Sequence, residues 1–202
     1  MNYLYKKGYK TISTEEFYEW YKGKVEYYGK TCMITLDDGM YEEYYLVYPI
    51  LKKYNLKATS FLIGKKINNI TEKYNKNKIN YIGLDVINKI RKEYPNFEFQ
   101  SHSFNIHYKI NNIKKIYTMN YQEIEKDFLM NKKFNFSSMA YPYGAFNNEI
   151  KILLKKYNFS VAFTFGQYGP ASRFNDRFLI PRIKINSSDT LNTLKQWLRK
   201  YC

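Results

Sequence analysis

Residues 31–63 read TCMITLDDGMYEEYYLVYPILKKYNLKATSFLI. The stretch begins with an apolar run of strand type, TCMITL (31–36), that stops at Asp37-Asp38-Gly39. It ends in a second such run, ATSFLI (58–63). Between them Tyr44, Tyr45, Val47, Tyr48 and Leu51 recur at helical spacing, which predicts a helix over about 41–54. Pro49 inside that span has no N–H and predicts a kink or a late start. Strand, helix and strand in this order argue for α/β architecture with parallel strands.

Upstream, Ser13-Thr14-Glu15-Glu16 offers a capping-box start for a short helix carrying Phe17 and Trp20. Downstream, a helix over about 84–93, a strand at FEFQS (97–101), an Asn- and Lys-rich loop after His107 and a helix over about 120–131 follow. SSMAY (137–141) reads as a strand that closes at Pro142-Tyr143-Gly144. A helix over about 147–157 and a strand at SVAFTF (160–165) come next, then a loop over 166–176. A strand near 178–185 and a helix near 189–200, capped by Ser188 or Asp189, complete the chain. No repeat or linker interrupts this order, so residues 1–202 read as one domain.

Composition narrows the function classes. With 45% hydrophobic and 19% aromatic residues the chain is too rich in core-forming side chains to be disordered. No apolar stretch approaches the roughly 18 residues of a membrane span. MNYLYKKGYKTIS, at the N-terminus, has no apolar signal region, which leaves an intracellular protein or a chain trimmed of its leader. Cys32, inside CMITL, is expected to be a buried small hydrophobe, and Cys202, the last residue, to be frayed. Without a CxxC pair, a cysteine zinc site is excluded. The net charge of +15 is spread over lysines scattered among Asn, Ile and Tyr, with no compact basic run and no finger spacing. Such a distribution supplies non-specific attraction only, so no nucleic-acid partner is expected, whereas an anionic cell-wall polymer is compatible with it.

The polar residues fall where chemistry sits in parallel α/β folds. Asp37-Asp38, Ser101-His102 and Tyr141-Pro142-Tyr143 each end a predicted strand, at the edge where ligands bind. His102 and His107 are the chain's two histidines, and a spacing of five suits a loop. Two imidazoles and a carboxylate suit a borderline divalent ion such as Zn²⁺ with open positions left for water and substrate. Adjacent aspartates point different ways, so one can ligate while the other handles a proton. Gly39 permits the tight turn. Taken singly, Asp-Gly is ordinary turn chemistry and a histidine pair is ordinary surface.

Taken together they resemble something definite. ITLDDGMYEEYYLVYPILKKYNLKATSFLIG (34–64) is similar to the opening motif of the polysaccharide deacetylases (NodB homology, carbohydrate esterase family 4), with Leu36 in place of the usual Phe. FEFQSHSFNIH (97–107) resembles their histidine motif in its longer-spaced form, found in deacetylases of poly-N-acetylglucosamine. GYKTISTEEFYEWYKGK (8–24), MAYPYG (139–144) and LIPRIKI (179–185) also look like that branch, so the resemblance runs from about residue 3 to 185.

The resemblance implies a distorted (β/α) barrel and metal-dependent hydrolysis of N-acetyl groups on a hexosamine-containing polysaccharide. It implies Asp38, His102 and His107 as ligands of a divalent metal, Zn²⁺ first, and Asp37 as the base that deprotonates the attacking water. The backbone N–H of Tyr143 would meet the oxyanion, Pro142 would shape the turn and the groove floor, and Tyr108 and Tyr143 are nominated for sugar stacking. Many relatives carry an arginine where this chain has Ala140, and Arg182 is the candidate to replace it beside Asp37. Many also carry a late histidine as acid; here none follows His107, which leaves Asp176, water or Asp37 itself to protonate the amine. Relatives in the branch usually have an extra N-terminal strand and a leader, so the barrel is expected to lack a strand and open into a groove. An O-acetyl esterase acting on a xylan-like glycan, or an inactive carbohydrate-binding domain, are the other readings. Oligomeric state is not readable, and the cell envelope is the location the resemblance suggests.

Overall fold

The computed structural model describes residues 1–166 and 169–201. Cys202 and part of the expected 166–176 loop lie outside the described residues. Among the described residues the strands run in chain order as β1 Lys10–Thr11, β2 Thr31–Cys32, β3 Thr35–Asp38, β4 Ala58–Leu62, β5 Phe97–Ser101, β6 Lys109–Ile110, β7 Ile113–Lys114, β8 Ser138–Ala140 and β9 Val161–Phe163. The helices are α1 Asn2–Lys6, α2 Thr14–Tyr21, α3 Tyr48–Tyr54, α4 Leu84–Glu93, α5 Tyr121–Asn131, α6 Asn148–Lys156 and α7 Leu191–Tyr201.

The main sheet is parallel throughout, in the order β3-β4-β5-β8-β9. Alternation along its strands divides the core. Ala58, Leu62, Phe97 and Phe99 face outward against Leu51, Val86, Ile87 and Ile90 of α3 and α4. Met139 and Ala162 face α5 and α6 through Ile124, Phe128, Ile150, Leu153 and Leu154. The opposite face carries Phe61, Ala140, Val161 and Phe163, packed on Ile12 and Phe17 from the N-terminal segment. That concave face is not wholly apolar. Glu98 Oε1 accepts the Thr14 N–H and the Thr59 hydroxyl, both at 2.6 Å, and Gln100 Oε1 accepts the N–H groups of Ser137 and Ser138.

Several expectations are corrected by local chemistry. The run 31–36 divides: β2 pairs with β1 in a separate two-stranded sheet, and β3 starts only at Thr35. Cys32 is half-buried there, not buried. The helix over 41–54 is a π-turn, Glu43–Val47, followed by α3 with Pro49 in its first turn, where a missing N–H costs nothing. After His107 comes a hairpin, β6–β7, turned through Asn111 and Asn112 at φ 48° and 64°, a conformation asparagine tolerates. The strand near 178–185 reduces to one bridge, Ile180 to Phe163, because Pro181 cannot donate to a ladder. Thr190, not Ser188 or Asp189, caps α7, accepting the Thr193 N–H at 3.2 Å. The sheet therefore remains an open half-barrel with β3 at one edge.

Candidate metal and catalytic site

Asp37 and Asp38 close β3, and His102 follows Ser101 at the end of β5, two strands away. Asp38 has φ 82°, a left-handed conformation that turns its carboxylate away from the ladder. Gly39, at φ 74°, continues the turn against Leu62, whose side chain would lie 2.5 Å from any added Cβ. His102 is buried, and its Nδ1 lies 2.8 Å from the carbonyl oxygen of Ala140. A carbonyl only accepts, so Nδ1 carries the proton and the Nε2 lone pair is left to face the site. Position 140 thus contributes its backbone to the centre.

Asp38 Oδ1 lies 3.5 Å from His102 Nε2 and 3.6 Å from His107 Nε2, and ligand atoms of the three residues all fall within 4.8 Å of one another. Asp38 Oδ1 is buried and accepts no hydrogen bond among the described residues. Such spacing is long for a hydrogen bond and close to the roughly 3.3 Å expected between donors sharing one tetrahedral ion. The three residues fit a divalent metal. The His107 imidazole is held below its ordinary pKa by burial and by neighbouring His102, against the pull of Asp38 and Asp37, which keeps it neutral and able to ligate.

Asp37 points to the concave face together with Thr35, its neighbour two residues back. There Arg182 spans the open side of the half-barrel. Its Nη1 and Nη2 donate to the two Asp37 oxygens at 2.7 and 2.8 Å, Nη1 also reaches Thr35 Oγ1, and Nε donates to the Thr164 carbonyl. Burial alone would raise the Asp37 carboxyl. The paired hydrogen bonds and the charge of Arg182 outweigh it and hold the group below its ordinary value.

Pro142 is buried and opens a tight turn in which Tyr143 takes φ 56° and ψ 17°. The Tyr143 ring stacks on His107, with centroids 4.3 Å apart and planes 16° from parallel. Gly144 lets this turn press on Phe165, whose backbone N would stand 2.7 Å from a Cβ. Tyr108 is half-exposed at the base of the hairpin; it is the neighbouring Lys109 that approaches the Tyr143 ring, at 5.4 Å. Asp176 is engaged elsewhere: it pairs with Lys151 at 2.5 Å and caps the Phe178 N–H.

Two supporting carboxylates escaped the sequence reading. Glu43, 4% exposed, accepts the Gly39 and Met40 N–H groups on one oxygen, Oε1, at 3.1 and 3.2 Å. Burial pushes its carboxyl up to about 8. Asp127, 7% exposed, accepts the Phe104 N–H on Oδ1 at 2.8 Å and the Asn105 N–H on Oδ2 at 2.6 Å, inside the loop between the histidines. Burial raises it to about 6. Asn131, one turn on, donates to Ser101 Oγ at 2.8 Å. The signal was present for Asp127: in YQEIEKDFLMN it sits on the helix stripe of Ile124 and Phe128, where a charge is out of place.

An open parallel α/β half-barrel with helices around it matches the architecture of NodB-type deacetylase domains. The sequence pattern of the polysaccharide deacetylase family matches residues 24–162, and the chain belongs to that family. It is similar to the poly-β-1,6-N-acetyl-D-glucosamine N-deacetylase of Staphylococcus aureus strain N315, 29% identical over 200 residues. The enzyme of that name from Staphylococcus epidermidis is 31% identical over 197 residues. Each match covers 93% of this chain and 65% of the relative, so the chain spans a little under two thirds of their length. Among solved structures, IcaB from Ammonifex degensii superposes with a TM-score of 0.79 at 19% identity, over 98% of this chain and 85% of that one. The Streptococcus pyogenes deacetylase PplD, in complex with acetate, gives 0.72 at 24% identity, over 96% and 82%. These likenesses establish the fold. No helix among the described residues is long and apolar enough to cross a membrane.

Proposed function

We propose that this chain hydrolyses N-acetyl groups on a hexosamine-containing polysaccharide. The observation that carries the reading is the meeting, at one sheet edge, of the Asp38-His102-His107 cluster with a carboxylate, Asp37, gripped by a guanidinium. Membership of the deacetylase family and the names of the staphylococcal relatives support the same substrate class.

Asp38, His102 and His107 would hold a divalent ion, with Zn²⁺ the first choice for one oxygen and two imidazole donors. When bound, such an ion polarises the acetamide carbonyl and makes water more acidic. Asp37 takes the proton from the attacking water, and Arg182 keeps it ionised and aimed. The Tyr143 N–H stands at the turn where a donor to the developing oxyanion is needed, and stacking on His107 fixes that turn. As the tetrahedral adduct collapses, the C–N bond breaks, acetate leaves and Asp37 returns its proton to the amine. Arg182 thereby serves the role left open at Ala140, and no second acid is required.

The test pairs metal analysis of the purified protein with acetate release from an N-acetylglucosamine oligosaccharide. About one divalent ion per chain and metal-dependent acetate release are expected. Bound metal with no acetate released from N- or O-acetylated glycans would overturn the hydrolase reading in favour of a binding domain.

A further inference from the structure

Lysines stand on the two segments next to the histidine loop and the Tyr143 turn, and most of them meet no carboxylate among the described residues. On one side β4 runs into the turn Gly64–Lys66, which is tied to the histidine loop by Gly64 N–H to Ser103 O at 3.0 Å and Lys65 N–H to Phe104 O at 2.9 Å. This turn lines a cavity of about 310 Å³ with Asn68, Lys78 and Tyr81. Glu72, the carboxylate in the lining, is occupied by Lys78. Lys65 and Lys66 are exposed and have no ion-pair partner among the described residues. Tyr81 links the cavity to the aspartate turn: its backbone bridges Met40, two residues beyond Asp38, and Lys66 Nζ lies 5.1 Å above its ring.

The β6–β7 hairpin supplies a second group, at the Tyr143 turn. Lys114 Nζ donates to the Tyr143 carbonyl at 3.1 Å, and Lys109 sits over the Tyr143 ring. Neither meets a carboxylate among the described residues. Lys65, Lys66, Lys109 and Lys114 thus bring four ammonium groups without a carboxylate partner among the described residues to the segments that adjoin the histidine loop and the Tyr143 turn.

Such a rim discriminates among glycans by charge. A neutral N-acetylated chain gains nothing from it, and each acetyl removed adds an ammonium that the lysines repel. An acid on a neighbouring sugar is attracted, more strongly in a partly closed cavity than in open water. We propose that the Lys65–Lys66 cavity is a subsite for a negatively charged sugar, carboxylate or phosphate, adjacent to the acetylated residue. The substrate is then an acidic N-acetylhexosamine polymer. This rests on the deacetylase reading and adds a substrate class to it.

The experiment compares acetate release from a neutral N-acetylglucosamine hexamer with release from a hexamer in which N-acetylglucosamine alternates with glucuronate. At low ionic strength the acidic hexamer should show kcat/KM at least tenfold higher. The advantage should shrink as salt screens the exposed lysines. The double variant Lys65→Gln/Lys66→Gln should lose the preference and keep its rate on the neutral hexamer. Equal kcat/KM for the two hexamers, or a preference unchanged in the double variant, would overturn the subsite. Competition separates the two sources: inhibition by glucose 6-phosphate alone assigns a phosphate, inhibition by glucuronate alone a carboxylate, and inhibition by neither refutes the site. If neither hexamer releases acetate from metal-loaded protein, the hydrolase reading fails by itself. The subsite is then judged by equilibrium binding of the two hexamers, with the same preference and the same effect of the double variant expected.

Discussion

The turn that carries Asp37 and Asp38 and the loop that carries His102 and His107 are held by the same device at different reach. Each has a buried carboxylate beneath it that accepts two backbone N–H groups. For the aspartate turn the carboxylate is Glu43, four residues from Gly39 and at the start of the next helical segment. For the histidine loop it is Asp127, 23 residues from Phe104 and on a helix that must first dock. The aspartate turn can take shape once β3 and the following turn exist. The histidine loop lacks its carboxylate until α5 has packed on the sheet. One half of the centre is local and the other is tertiary.

That contrast can be broken by substitution, and the largest effects should fall on the proposed ligands and the proposed base. Asp37→Asn should lower acetate release by about 10²–10⁴-fold while metal content stays at one equivalent. Asp38→Asn and His107→Ala should instead lose metal, and activity with it. Metal retained in Asp38→Asn but lost in Asp37→Asn would mean that the two aspartates have been given each other's roles.

The two supports should respond differently to amide substitution. Glu43 serves both N–H groups with a single oxygen, which Glu43→Gln keeps. Asp127 uses one oxygen for each, so Asp127→Asn must turn an NH₂ toward a buried N–H. A loss of about 2–3 kcal/mol and a metal Kd weakened about tenfold or more are expected for Asp127→Asn, measured by denaturation and by competition with a chelator. Glu43→Gln should leave metal affinity near wild type. Equal losses in the two variants would remove the distinction between a local and a tertiary support.

Glu43 also sets a pH dependence. Its folded pKa, about 8, lies above the unfolded value, so the folded protein binds the extra proton. Stability is then full below the unfolded pKa and falls as pH rises toward 8, by about 3 kcal/mol between roughly pH 5 and 7.5 for this group alone. Urea denaturation of chelator-treated protein at both pH values should show the fall, and Glu43→Gln should flatten it.

The smallest effect concerns Arg182. Arg182→Met should reduce turnover about tenfold and move the acid limb of the pH–rate profile upward with metal content unchanged, because Asp37 loses its fork of charge-assisted hydrogen bonds. An unmoved acid limb would show that Arg182 holds the barrel edge without tuning the base.

The sequence was most legible where chemistry and strand ends coincide. The strands that bear Asp37, His102 and Pro142, the parallel order and the family resemblance could be read from residues 34–64, 97–107 and 139–144. Local periodicity was less reliable near proline and asparagine. Pro49 and Pro181 each remove one N–H, which shortened a helix and reduced a strand to a bridge, while Asn111-Asn112 made a hairpin of an apparent loop.

By itself the sequence determined the α/β class, the list of residue types able to hold a metal and move a proton, and their places at strand ends, because these follow from period and spacing along one chain. Tertiary structure alone decided that Ala140 serves through its carbonyl, that Asp176 is spent on Lys151 and that Asp127 lies beneath the histidine loop. Those relations join residues far apart in sequence, and burial, left-handed backbone and opposed charge arise only once the elements pack.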